Sequence, residues 1–164
     1  MEMEKFAERT EAPVKVQDVK MPVFRLMEEA DAASAAALEK ESSAEAWSEK
    51  SYRDAVNDTN ALYVVAQSGE RIVGCCGLWI SFEDADVCNV VVDSGFRRKG
   101  IAERMLCFLM EKGKEAGVSN FTLEVRKGNE GAIRLYENLG FVTEGIRKGF
   151  YDNPKEDALI MWKR

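Results

Sequence analysis

The sequence predicts one domain with a mixed α/β fold. Its 164 residues, 46% of them hydrophobic, suffice for a single hydrophobic core. Apolar patterns with strand and helix spacing follow in the order strand, two helices, three strands, helix, strand, helix and two strands. Elements interleaved in this way pack as layers on one sheet. We expect residues 1–20 to form a flexible N-terminal extension and residues 21–164 to form the domain.

The first half of the domain contains the first strand, two helices and a hairpin. Alternation over residues 23–27 predicts a short strand, and the alanine-rich residues 32–40 predict a helix. After the polar break 42–47, Ser48 is a good N-cap for a second helix. Residues 62–67 and 71–80 are rich in valine and isoleucine and flank a Ser-Gly-Glu turn, which predicts an antiparallel hairpin.

The next strand leads directly into a helix. Residues 87–92 are almost continuously apolar, which predicts a strand covered on both faces. A basic turn follows it, and then Ile101 begins a helix with apolar residues at helical spacing that runs to Ala116. Gly117 is expected to end this helix.

The remaining elements are a strand, a helix and a terminal hairpin. Phe121, Leu123 and Val125 alternate with polar residues, so Glu124 is expected on the opposite face of its strand. Asn129 can cap a helix that ends at Gly140 and carries the apolar stripe Ala132, Ile133, Tyr136 and Leu139. Strands beginning at residue 141 and covering residues 158–162 then form the hairpin.

The amino-acid composition limits which residue types can act as a general base or bind a metal. The chain has no histidine, so a general base that works near neutral pH must be a carboxylate, a lysine, a tyrosine or a water held by one of these. Its four cysteines lie in apolar surroundings and are expected to be buried free thiols rather than metal ligands, and no metal site is predicted. They are Cys75, Cys76, Cys88 and Cys107.

Charge and targeting signals bear on partners and localisation. The net charge of −6 disfavours nucleic acid as the main partner. Residues 21–60 carry nine acids and four bases, whereas residues 94–117 carry six bases and three acids, which suits an anionic cofactor. The first residues have neither a signal peptide nor an apolar run of membrane length, so we expect a cytoplasmic protein that does not bind membranes.

The segment from Arg97 to Glu103 has the features of an anion site. It joins a strand to a helix N-terminus, where backbone N–H groups lack partners and the helix dipole is positive, and Gly100 allows close approach of a phosphate. The spacing fits neither a P-loop nor a three-glycine dinucleotide motif. Considered alone, the segment is equally consistent with a charged helix start that contains a packing glycine.

Four separated segments resemble one family. Arg97-Arg98-Lys99-Gly100-Ile101-Ala102, after Asn89-Val90-Val91-Val92-Asp93, resembles the coenzyme A signature of the GNAT N-acetyltransferase superfamily. LEVRKGNEGAIRLYENLGF (123–141) resembles the second half of that fold, while EDALIM (156–161) and Trp47-Ser48-Glu49-Lys50 resemble the RimI-type ribosomal-protein-alanine acetyltransferases. The resemblance implies a central twisted, mostly antiparallel sheet of six to seven strands, with a parallel pair splayed at the cofactor site and about four flanking helices.

The resemblance also implies acetyl-CoA as the co-substrate and a set of residues that bind it. Backbone groups of the 90–92 strand would hold the pantetheine arm and the acetyl carbonyl, the turn would hold the pyrophosphate, and Asn129 would contact the cofactor. The implied residues are Val90, Val91, Val92, Arg97, Arg98, Lys99, Gly100, Ile101, Ala102, Glu103 and Asn129.

By the same resemblance Glu124 is the general base and Tyr136 the general acid. An amine arrives mostly as ammonium and must lose a proton before attack, and a thiolate leaving group benefits from receiving one. A tyrosine with a pKa near 10 keeps its proton at neutral pH. The pattern alone also allows Glu124 to be a solvated surface acid and Tyr136 to be a core residue. No residue near Cys88 in sequence would activate it as a nucleophile, which favours direct attack in a ternary complex.

The RimI-type segments imply that the acceptor is a protein N-terminus, by family precedent the alanine of a ribosomal protein. The acidic residues between Glu28 and Asp58 would suit a basic peptide. The family commonly has Phe-Pro-Trp where this chain has Glu45-Ala46-Trp47, and glycine where it has Ala102. Two alternatives are an acetyltransferase for lysine side chains or a small amine such as a polyamine, and a coenzyme A binding module without turnover.

Overall fold

The computed structural model describes residues 20–164, so the predicted extension, except for Lys20, lies outside the described residues. It contains seven strands, β1 (Val23–Leu26), β2 (Ala61–Ser68), β3 (Arg71–Ser81), β4 (Asp84–Val92), β5 (Asn120–Arg126), β6 (Val142–Tyr151) and β7 (Glu156–Lys163). It also contains four α-helices, α1 (Ala32–Lys40), α2 (Glu49–Val56), α3 (Ile101–Glu115) and α4 (Glu130–Asn138). No helix of this part of the chain is long and apolar enough to cross a membrane.

The strands form one sheet in the order β1-β2-β3-β4-β5-β7-β6. Every neighbouring pair is antiparallel except β4 and β5, which are parallel. The predicted fold class, a mostly antiparallel sheet with one parallel pair and four helices, is therefore confirmed. The last strand inserts between β5 and β6, so the terminal hairpin joins the sheet through β7.

The local signals that begin and end the helices work as predicted. The Ser48 side chain accepts a hydrogen bond from the Ser51 amide and caps α2. Asn129 caps α4 in the same way, because its side chain accepts from the Ala132 amide at 3.2 Å. Gly117, just past the end of α3, has a φ of 100°, a left-handed conformation that ends helices.

Helices cover both faces of the sheet, and each face has its own core. The larger core packs α3 and α4 against residues such as Leu78 and Phe121. The smaller core packs α1 and α2 around Tyr52, Val65 and Cys75 on the opposite face. Burial of these apolar side chains contributes about 25 cal/mol per Å² and fixes the helices on the sheet.

The parallel pair is short, and the two strands diverge beyond it. Residues 84–86 of β4 pair with residues 120–122 of β5, and no further pairing joins these strands. Cys88, Asn89 and Val90 are consequently only half-buried. The prediction that residues 87–92 are covered on both faces holds for Val87 and Val91, which are buried in the larger and the smaller core. It is wrong for the half-buried residues, because the edge of the strand borders an open groove.

A β-bulge interrupts β4 where it diverges. Gly77 pairs with Cys88 and Cys75 pairs with Val91, so Cys76 of β3 faces two residues of β4. The first of these, Asn89, has a φ of 54°, in the left-handed region that asparagine tolerates better than most residues. A bulge of this kind bends its strand and changes the direction of the residues that follow.

The cysteines differ in burial. Cys75 and Cys76 are buried, Cys88 is half-buried, and none of the four cysteines forms a disulfide. Cys107 is exposed, so the prediction that all four thiols are buried is wrong for this residue. It lies on the solvent side of α3, whereas Met105, Leu106 and Leu109 face the core, and an apolar neighbourhood in sequence does not distinguish these sides.

Gly77 gives a first testable prediction, on stability. A Cβ atom at Gly77 would overlap the ring of Tyr63, which is buried and cannot move into solvent. We expect Gly77→Ala to lower the free energy of unfolding by about 2 kcal/mol or more, measured by denaturant titration. Gly131→Ala is the control, because an added Cβ there meets open space in α4 and should stabilise the helix by about 1 kcal/mol. Equal denaturation midpoints for Gly77→Ala and the unsubstituted protein would contradict this packing.

Candidate active site

A groove of about 940 Å³ occupies the space between the diverging strands β4 and β5. The C-terminal end of α1 and the first turns of α4 form its sides. The structure brings nine of the predicted site residues to its walls. They are Val90, Val91, Val92, Arg97, Arg98, Ala102, Glu124, Asn129 and Tyr136.

Most of the remaining predicted residues surround an adjoining cavity of about 250 Å³ at the start of α3. Gly100, Ile101 and Glu103 line it together with the two arginines of the turn. The Ile101 side chain is buried in the larger core. Lys99 lines neither space, and its Nζ donates to the Arg97 carbonyl oxygen at 3.3 Å.

The turn before α3 leaves several backbone N–H groups free. Gly100 is the N-cap of α3 with a φ of 78°, and no side chain caps this helix. The Arg104 amide donates to the Gly100 carbonyl at 3.1 Å, so the amides of residues 101–103 precede the first helical hydrogen bond. These amides and the positive end of the helix dipole make the start of α3 suitable for an anion.

Peptide groups of β4 also face the groove. The Asp93 amide donates to the Val73 carbonyl at 2.8 Å and therefore points toward β3. Because peptide groups alternate in direction along a strand, that of Val92 points away from β3 toward the gap. The Arg97 Nε donates to the Val92 carbonyl oxygen at 3.1 Å on that side. The amide of Val92 is thus directed into the groove, and Val90, the second residue of the bulge, also lines it.

Glu124 reaches the groove from β5. Its side chain lies on the face opposite Phe121, Leu123 and Val125, as predicted, and is 35% exposed. Its Oε2 accepts a hydrogen bond from the Arg147 Nε at 3.1 Å. Burial, followed by the neighbouring Glu124 carboxylate, raises the pKa of Asp86 on β4 above its usual range.

Tyr136 belongs both to the core and to the groove wall. Its ring is 8% exposed and packs edge-on against Phe141, with the ring centroids 5.9 Å apart. Its hydroxyl has no hydrogen-bond partner within residues 20–164, although the residue lines the groove. Burial raises the pKa of Tyr136 above that of a free tyrosine, so the hydroxyl keeps its proton at neutral pH.

Sequence reasoning missed several residues of the groove, among them Glu39, Asn89 and Tyr151, and it missed Arg147, which contacts Glu124. One signal could have revealed Glu39: this acidic residue lies on the same helical stripe as Ala32, Ala35 and Leu38, which are all buried. Arg147 approaches Glu124 from β6, which is separated from β5 by β7. Sequence spacing gives no indication of such a contact.

Comparison with known proteins identifies the family. A model described as the Acetyltransferase (GNAT) family matches residues 26–141. This chain belongs to the GNAT acetyltransferase family. The predicted enzyme class, an N-acetyltransferase, is confirmed, as is the resemblance from which it was predicted.

Individual relatives of this GNAT chain are close over most of its length. It is 34% identical over 117 residues to a putative [ribosomal protein bS18]-alanine N-acetyltransferase of Bacillus subtilis, covering 71% of this chain and 78% of the relative. It is 31% identical over 143 residues to the [ribosomal protein bS18]-alanine N-acetyltransferase of Escherichia coli K12, covering 86% and 96%. The crystal structure of the Escherichia coli ribosomal-protein-S18-alanine N-acetyltransferase superposes with a TM-score of 0.80 at 29% identity, covering 87% of this chain and 93% of the other.

Proposed function

We propose that this protein transfers the acetyl group of acetyl-CoA to the α-amine of a protein N-terminus by direct attack within a ternary complex. The observation that carries the proposal is a groove that adjoins the uncapped start of α3 and has Glu124 and Tyr136 on its walls. The relatives named as alanine N-acetyltransferases support an N-terminal alanine of a ribosomal protein as the acceptor.

The cofactor residues divide by the part of acetyl-CoA that each would hold. The free amides at the start of α3, with Arg97 and Arg98, would bind the pyrophosphate. The peptide groups of Val90 and Val92 would bind the pantetheine arm and the acetyl carbonyl. Asn129 uses its side-chain oxygen to cap α4, which leaves its amide N–H groups available to the cofactor.

The proposed anion site leads to a prediction in which a substitution weakens coenzyme A binding without lowering the stability of the protein. Ala102→Asp places a carboxylate in the first turn of α3. Its interaction with the helix dipole should stabilise the protein by about 0.3–1 kcal/mol, but it should repel the pyrophosphate. At an effective dielectric constant of about 20, charges about 4 Å apart interact by about 4 kcal/mol, so the Kd for coenzyme A should rise by about 100-fold or more, measured by titration calorimetry.

A matched control for this prediction exists in α1. Ala33→Asp makes the same change at the second residue of a helix, and Ala33 is exposed and does not line the groove. Its Kd for coenzyme A should stay at the wild-type value. An equal loss of affinity in both variants, or none in Ala102→Asp, would contradict pyrophosphate binding at α3.

The acid and base residues would act in sequence. Glu124 accepts a proton from the acceptor ammonium, directly or through water, and the free amine then forms the new C–N bond at the acetyl carbon. The amides of Val90 and Val92 stabilise the negative charge that develops on the carbonyl oxygen. As the C–S bond breaks, Tyr136 donates its proton to the leaving sulfur, and the nitrogen of the new amide releases its second proton, which restores the Tyr136 hydroxyl. The raised pKa of Tyr136 supports this role, because it keeps the donor protonated.

Cys88 also lines the groove but is poorly suited to act as a nucleophile. Burial, with the nearby Asp86 carboxylate, raises the pKa of the Cys88 thiol to about 12. Since the thiolate is the nucleophilic form, very little of it is present at neutral pH. The electrostatics of the groove therefore favour direct attack over an acetyl-enzyme.

The acidic surface that would attract a cationic acceptor is smaller than the charge of residues 21–60 suggests. Three of these acids are already paired with bases, in the pairs Arg25–Asp31, Lys50–Asp54 and Arg53–Glu49. Of the acids between Glu28 and Asp58, Glu39 and Glu41 line the groove, where they add to the charge of Glu124. A basic N-terminal segment would be attracted to this end of the groove.

Mass spectrometry with a small panel of acceptors tests the proposed function. The panel contains a basic peptide that has internal lysines and a free N-terminal alanine, the same peptide with its N-terminus blocked, and spermidine. We expect one acetyl group on the α-amine of the first peptide alone. Modified lysines or spermidine would instead favour those acceptors, and coenzyme A binding without any transfer would indicate a binding module.

A further inference from the structure

The side chain of Asn89 is held at both ends. Its Oδ1 accepts a hydrogen bond from the Tyr63 hydroxyl at 2.7 Å. Its Nδ2 donates to the Glu39 carboxyl group, with the oxygens Oε1 and Oε2 at 3.3 and 3.5 Å. Asn89 is the left-handed residue of the β4 bulge, so these contacts fix the conformation of the strand immediately before Val90.

Further contacts fix the two partners of Asn89. The Tyr52 hydroxyl donates to Glu39 Oε1 at 2.6 Å, and the Trp47 amide donates to the same oxygen at 3.3 Å. The Trp79 Nε1 donates to the Tyr63 hydroxyl at 3.1 Å. The cluster therefore connects α1, α2, β2 and β3 to a single residue of β4.

Glu39 is an unusual residue for a core. It is 8% exposed, and within the described part of the chain no lysine or arginine pairs with it. Burying a carboxyl group that lacks a cationic partner is unfavourable, and an apolar residue of similar size at such a site is often neutral or stabilising. Stability alone therefore does not account for Glu39, but its contact with the bulge gives it a geometric role.

We propose that Glu39 is a positioning residue, which holds the Asn89 side chain so that the bulge directs the amides of Val90 and Val92 at the acetyl carbonyl of the substrate. The inference rests on the proposed function and identifies what orients its oxyanion donors. Glu39 acts through Asn89 and has no direct part in proton transfer.

Reversing the polarity of the Glu39–Asn89 hydrogen bond tests this role. Glu39→Leu removes the oxygens that accept from Asn89 Nδ2, and Asn89→Asp places a second carboxylate against Glu39. Each single variant should lower kcat by about 10- to 100-fold, because one misdirected oxyanion donor costs up to about 10²- to 10³-fold. The double variant Glu39→Gln/Asn89→Asp places an amide donor opposite a carboxylate acceptor, keeps the Tyr63 contact and should recover most of the kcat lost in Asn89→Asp.

A spectroscopic measurement separates this role from the identity of the acceptor. Acetyl-CoA labelled with ¹³C at the acetyl carbonyl reports hydrogen bonding to that oxygen when bound, with no amine present. The signal should move toward its free position in both single variants and return to the wild-type position in the double variant. If the unsubstituted protein binds the label but acetylates no amine, the proposed function fails while this measurement remains valid.

Two results would overturn the inference. One is a wild-type kcat and a wild-type carbonyl signal in both single variants, and the other is a double variant no better than the worse single variant. Circular dichroism and thermal melts check that each variant is folded. If a single variant does not fold, Tyr63→Phe replaces it, since it removes the donor to Asn89 Oδ1 and should produce the same change in the carbonyl signal.

Discussion

Replacing Tyr136 with Phe is expected to lower kcat for acetyl transfer at neutral pH by about 10²-fold or more, because general acid catalysis contributes about 10²- to 10⁴-fold. Stability should not fall with activity. The Tyr136 hydroxyl is buried without a partner in the described chain, so its removal should leave the free energy of unfolding unchanged or raise it. Steady-state kinetics and a thermal melt measure the two quantities.

The pH dependence sharpens this prediction. A general acid acts in its protonated form, and burial raises the pKa of Tyr136 above the ordinary tyrosine value of about 10. The alkaline fall in kcat that reports Tyr136 should therefore begin above the pH expected for a free tyrosine, and Tyr136→Phe should abolish it. A profile that falls with an ordinary tyrosine pKa would contradict the assignment.

Tyr151→Phe provides the comparison for Tyr136→Phe. Tyr151 also lines the groove, its pKa is raised by burial and by Glu124, and its ring packs beneath the Arg126 guanidinium at 4.4 Å. Removing its hydroxyl keeps that packing. If Tyr151→Phe loses more kcat than Tyr136→Phe, the acid has been assigned to the wrong tyrosine.

Replacing Glu124 with Gln is expected to lower kcat/KM for the amine at pH 7 by about 10²- to 10³-fold, through loss of the general base. The defect should shrink as the pH rises through about 8, because an N-terminal amine has a pKa of about 7.7–8.0 and then loses its proton to solvent. Kinetics between pH 6.5 and 9.5 measure this ratio. A constant ratio across that range, or near wild-type activity at pH 7, would contradict the base assignment.

Arg147→Gln is the control for the ion pair that Glu124→Gln also removes. The Arg147–Glu124 pair is partly exposed, with side-chain exposures of 55% and 35%, so its loss should change stability little. The carboxylate remains in this variant and can still accept a proton. An equal loss of kcat/KM in both variants would mean that the ion pair, rather than the base, supports the reaction.

Features set by neighbours in sequence could be predicted. The caps at Ser48 and Asn129 each depend on an amide three residues away, and the face of Glu124 follows from the alternation along β5. The uncapped start of α3 is equally local, since Gly100 and the amides after it lie within one turn. For these features the sequence pattern and the structure agree because each depends only on contacts between residues close in sequence.

Features that depend on how elements pack could not be predicted. The exposure of Val90 follows from the divergence of β4 from β5, although the apolar run suggests full burial. Glu39 and Asn89 lie fifty residues apart and meet only because α1 packs over the bulge. Arg147 reaches Glu124 because β7 enters the sheet between their strands.

The short contact between β4 and β5 divides the sheet into two parts. One half, β1 to β4, carries the proposed oxyanion donors, and the other, with β5, β7 and β6, carries Glu124 and Arg147. Within the sheet the halves are joined by the pairing of residues 84–86 with residues 120–122. Because the two halves diverge from this contact, the distance between Glu124 and the proposed oxyanion donors depends on the angle between the two halves of the sheet. Substitutions that open or close this angle would change the reaction rate without altering any residue of the groove.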